Sequence, residues 1–169
     1  MHYFLRLKPA CLVAVLLAFC LPTYAAPFAK GDMGVSITLG SGQAFNDNYT
    51  ILGAGVGYYL VDGLKLGLDV EVWSGGDVSI KKISPQVQYV FSREKKLKPY
   101  VGAFYRKTSI DGFDDLNSAG GRAGLFFSNQ GSYYMGIGIV HETYQSCDES
   151  VFASCSDTYP ELSFTFLLK

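Results

Sequence analysis

Past its first 25 residues the chain lacks any apolar run approaching the roughly 20 residues that a membrane-crossing helix needs. It also keeps only one histidine, His141, and two cysteines, Cys147 and Cys155; His2, Cys11 and Cys20 all fall within those 25 residues. So few soft ligands make no sufficient set for a metal centre, and neither a metal nor another cofactor is expected. Basic charge is not in excess either. Of the 14 basic residues Arg6 and Lys8 lie in the first segment, which leaves 12 against 15 acidic ones, and no footprint for nucleic acid.

What the first segment does have is the order of a secretory leader. Arg6 and Lys8 are followed by the apolar stretch 11–21 and then by the small-flanked Thr23-Tyr24-Ala25. This pattern predicts a cleaved signal peptide over 1–25 and one mature domain over 26–169. A lipidated Cys20 is disfavoured, because Phe19 is too large for the position before it. The two remaining cysteines, Cys147 and Cys155, flank one loop of an exported chain, where a disulfide is the default.

The mature part is rich in glycine and aromatic residues and shows a period of two. Leu64, Leu66, Leu68, Val70 and Val72 alternate with Lys65, Gly67, Asp69, Glu71 and Trp73. Successive strand side chains point to opposite faces, so this stretch makes one apolar and one polar face. Val61-Asp62-Gly63 supplies a tight turn back to the alternating 53–60 arm. Further strands are predicted at about 33–40, 78–91, 99–107, 120–127, 133–144 and 159–168. The fourth slips in phase near Lys81-Lys82 and contains Pro85, which predicts a bulge or an interrupted ladder.

Eight strands can close without an edge, and the predicted fold is all-β: an eight-stranded antiparallel up-and-down transmembrane β-barrel. Turns are expected after strands two, four and six, and longer loops after one (42–48), five and seven, with both chain ends on the periplasmic side. Tyr58, Tyr59, Phe91, Tyr100, Phe127, Tyr133 and Tyr134 adjoin the turns and are expected to form an aromatic girdle. The polar face carries the small residues and so is assigned to the narrow interior. That places Lys65, Asp69, Glu71, Arg106, Arg122, Glu142 and Glu161 inside, where they should pair and fill the lumen.

The leader, GVGYYLVDGLKLGLDV, KPYVGAFYR and the alternating last strand together resemble the porin-like outer-membrane β-barrel domain family of small eight-stranded barrels. The resemblance implies a monomer in the outer membrane of a Gram-negative envelope. Its partners would be outer-membrane lipids, lipopolysaccharide and the barrel assembly machinery. The chain departs from that family by ending on Leu168-Lys169 instead of an aromatic residue.

The expected role is structural, or surface contact through extracellular loops. An alternative comes from the stretch running from Lys98-Pro99-Tyr100 through His141, which is similar in layout to the lipid A deacylases. Their His-x-Ser-Asn motif aligns with His141-Glu142-Thr143-Tyr144. The resemblance would make His141 the base, Thr143 the nucleophile and Glu161 the orienting acid. Thr143 adds a methyl that crowds attack, and Glu161 has the wrong strand parity, so the expectation leans against catalysis.

Overall fold

The computed structural model describes residues 26–44, 47–91, 96–127, 132–145 and 154–168. The predicted leader, Cys147 and Lys169 lie outside them. Eight strands follow one another: β1 (Met33–Ala44), β2 (Asp47–Val61), β3 (Leu64–Ser74), β4 (Ile80–Val90), β5 (Leu97–Ile110), β6 (Leu116–Phe127), β7 (Tyr133–Gln145) and β8 (Ser156–Leu168). Each pairs antiparallel with the next, and β8 closes on β1 from Met33↔Leu168 to Gly40↔Glu161. Closure satisfies every strand edge within the chain, which a span through hydrocarbon requires.

The faces are inverted relative to a water-soluble domain. Arg106 and Glu142 are 0% exposed, whereas Ile139 is 60% and Leu52 55% exposed. Aliphatic rows such as Leu66, Leu68, Val70 and Val72 form the outer wall, and the alternating polar residues fill the inside.

Several local expectations need correction. Within the 42–48 stretch, residues 42–44 and 47–48 are strand, not loop: β1 and β2 pair out to Ala44↔Asp47. Likewise β5 and β6 extend to Ile110 and Leu116, so the long-loop pattern survives only after β7. β4 carries no bulge and pairs with β3 in one register throughout. Its ladder with β5 does lapse at Ser84 and Pro85, as the missing proline donor requires. The register shift sits instead in β2, between Tyr59 and Val61. There Gly63 takes a left-handed φ of 82° while Asp62 does not, a turn coupled to a bulge.

The segment before β1 closes the lower end of the barrel, where β1 begins and β8 ends. Phe28 is 0% exposed, and its ring centroid lies 4.5 Å from that of Tyr134 and 5.6 Å from those of Tyr59 and Phe126. Tyr100 stacks on Phe126 behind it at 4.5 Å. Phe28 holds a left-handed φ of 59°, costly for a residue with a Cβ, and the surrounding hydrogen bonds impose it. Gly63 N donates to Phe28 O at 2.8 Å, Gly31 N to Tyr59 O at 2.9 Å, and Lys30 N to Asp62 Oδ1 at 2.9 Å. This corrects the girdle: Tyr59, Tyr100 and Tyr134 point inward, while Tyr58, Phe91, Phe127 and Tyr133 remain exposed outside.

Candidate functional site

The strands bring the charged interior together in two tiers. Inward-facing charges on the described strands balance, with Lys65, Lys82, Lys98, Arg106 and Arg122 against Asp69, Glu71, Glu142, Asp157 and Glu161. Burying charge is tolerable only when partners and hydrogen bonds replace water, and the geometry shows how far each tier achieves this.

The upper tier centres on Arg106. Its Nη2 donates to Glu71 Oε1 at 2.7 Å, its Nη1 to Glu142 Oε2 at 3.1 Å, and its Nε to Ser84 Oγ at 2.7 Å. The same guanidinium also donates to the Tyr159 hydroxyl. Glu142 receives further donors from Lys82 Nζ at 2.6 Å, Ser118 Oγ at 3.0 Å and the Tyr144 hydroxyl at 3.1 Å. Lys82 stands over the Trp73 indole, 3.7 Å from its centroid, which supplies cation–π attraction away from water. Tyr49, Ile51, Phe104 and Tyr159 pack around this tier as an apolar cap.

The lower tier is looser. Arg122 Nη1 lies 3.1 Å from Asp69 Oδ2 and 3.5 Å from Glu161 Oε2. Arg122 Nε and Nη2, Asp69 Oδ1, Gln86 Oε1 and Gln88 Nε2 are buried there with no hydrogen-bond partner. Of the residues assigned to the lumen, Glu71, Arg106 and Glu142 lie in the upper tier, Asp69, Arg122 and Glu161 in the lower, and Lys65 is also buried. Sequence reading missed Lys82, Trp73, Tyr144 and Tyr159. The register partner Glu71↔Lys82 was the available signal for the first of them.

The alternative catalytic set is not brought together. His141 and Thr143 are exposed on the outer face, and Glu161 is buried in the lumen. The His141 ring shares a hydrogen bond with Thr158 across the β7–β8 ladder instead, Nδ1 to Oγ1 at 2.7 Å. Among the described residues no group of His, Cys, Asp and Glu could hold a metal ion. Between β5 and β6, outside the strands, Asp115 lies 2.8 Å from the ammonium of Lys107, near the upper end of β5. The hydrogen bond from Lys107, with a second from Ser109, holds this exposed carboxyl below its usual range.

A closed eight-stranded barrel with apolar walls and a packed, charged interior defines the transmembrane β-barrel class, and solved structures of that class share the fold. The sequence itself matches no family model and no curated protein. The N-terminal β-barrel domain of Pseudomonas aeruginosa OprF aligns with a TM-score of 0.68 at 17% identity, covering 82% of this chain and 98% of that one. Neisserial surface protein A aligns at 0.58 with 12% identity, covering 80% and 95%. The Pseudomonas aeruginosa outer-membrane protein OprG aligns at 0.54 with 12% identity, covering 85% and 98%. These neighbours are small outer-membrane barrels, and at such identities the likeness is one of fold.

Proposed function

We propose that the protein is a small integral outer-membrane barrel, exported by a leader cleaved after Ala25, with a structural or surface-contact role and no open pore. The observation that carries this reading is the inversion of the wall: charges wholly buried, aliphatic rows exposed. Lipid is the solvent in which that distribution costs least. The aromatic stopper at one end, two tiers of paired side chains and the apolar cap support a lumen closed to ions.

Lipid and lipopolysaccharide are the partners that the outer wall would meet. Surface contact would fall to the upper rim, where the connection after β7 is the longest between strands. The deacylase alternative has little support, because among the described residues His141 hydrogen-bonds to Thr158 and to no carboxylate.

Gel mobility with and without boiling tests the barrel, which should run as a compact species until heated. Mobility indifferent to heat would count against it. Planar-bilayer recording tests the lumen; a steady large conductance would overturn the closed interior.

A further inference from the structure

The ends of the barrel differ in charge. At the upper rim, the described loops expose Asp77, Asp111, Asp114 and Asp115. At the lower end Lys96 is exposed in the turn that leads from β4 into β5, in a chain whose formal net charge is −1. Beside that turn the outer wall is hollowed. A groove of about 520 Å³ runs between Leu97, Phe127, Tyr133, Met135, Phe164 and Phe166, with Lys96 at its mouth. Its walls come from β5 to β8, and Phe127, Tyr133 and Phe166 are exposed on the outside. Lys96 is exposed just before β5.

We propose that this groove is a binding site for an anionic glycerophospholipid of the periplasmic leaflet, one acyl chain in the aromatic hollow and the phosphate at Lys96. The inference rests on the membrane-embedded reading above. Two independent properties select the occupant. The hollow is almost wholly apolar and opens on the wall that faces lipid, so an acyl chain fills it without leaving a polar group unpaired. The aromatic side chains near the lower turns mark the headgroup level, where Tyr rings favour the interface, and the ammonium of Lys96 stands at that end. A cation there attracts a negatively charged headgroup over a zwitterionic one. A second copy of the chain fits less well, because two Lys96 ammonium groups would be brought together.

The test uses the full-length barrel reconstituted in phosphatidylcholine vesicles, with spin-labelled phosphatidylglycerol and phosphatidylethanolamine as probes. The motionally restricted fraction should show a preference for phosphatidylglycerol of roughly five-fold, the effect of one interfacial lysine. Lys96→Gln should abolish the preference while leaving total lipid contact unchanged. Met135→Trp, which fills the hollow, should reduce restriction of both lipids there. Equal restriction of the two lipids by the unaltered protein, or an undiminished preference in Lys96→Gln, would overturn the site. Crosslinking of Met135→Cys between two barrels would assign the groove to a dimer instead and overturn it as well. Loss of heat-modifiable mobility in the vesicles would signal failure of the membrane reading itself, a result distinct from loss of selectivity alone.

Discussion

Arg106 on β5 and Glu142 on β7 meet across β6, with the guanidinium Nη1 3.1 Å from the Glu142 carboxylate and both side chains fully buried. Glu142 also receives Lys82, so one carboxylate on β7 holds two cations from the neighbouring strands β4 and β5. Replacing it with the isosteric neutral amide leaves both cations short of charge. We expect Glu142→Gln to destabilise the barrel by about 3–5 kcal/mol. Urea titration in lipid vesicles measures this, and an unchanged midpoint would mean that water reaches the tier.

Arg122 should matter less than Arg106. It has one carboxylate oxygen at 3.1 Å and a second at 3.5 Å, and its Nε and Nη2 lack partners. Its removal still strands Asp69 and Glu161 in a poor dielectric. Arg122→Met should lower the thermal unfolding temperature, and Arg106→Met should lower it further. The reverse order would show that the lower tier, not the upper, holds the wall together.

Purified protein should leave lipid A intact. Among the described residues His141 hydrogen-bonds to Thr158 and to no carboxylate, and Glu161 lies on the other side of the sheet. A base without an orienting acid supplies little rate. Mass spectra of lipid A should be identical before and after incubation; loss of an acyl chain that disappears with His141→Ala would reverse this.

The expected disulfide places Cys155, just before β8, opposite Cys147 in the connection after β7. Closure of so short a loop should add about 2–3 kcal/mol, mainly by restricting the unfolded chain. Alkylation of the unreduced, denatured protein should modify neither residue. Modification of both would remove the bridge from this account.

The period of two in Leu64–Trp73 made the faces of β3 readable directly, because one parity is aliphatic throughout and the other carries Lys65, Asp69 and Glu71. Lys81 and Lys82 defeated that signal. Two adjacent lysines have one polarity but opposite parity, and the structure sends Lys81 outward and Lys82 into the lumen. Tyr59, Tyr100 and Tyr134 were misread for a related reason: a tyrosine next to a turn suits a membrane interface and a packed barrel end equally well. Glycine resolves the choice at one position, since a Cβ at Gly138 would run into the Tyr100 hydroxyl. Phe28 left no trace in the pattern, because a single residue outside any strand has no period.

Its placement has a consequence for how the ring of strands is finished. Phe28 precedes β1, and its cage lies on both sides of the β1–β8 junction. Tyr59 comes from β2 on one side, Phe126 and Tyr134 from β6 and β7 on the other. No neighbouring pair of strands can build that cage, which exists only once the last strand has met the first. Fraying of the junction would pull the cage apart and expose the ring. The N-terminal segment is therefore a clasp across the one pairing that joins the two ends of the chain, and its seating marks a completed ring.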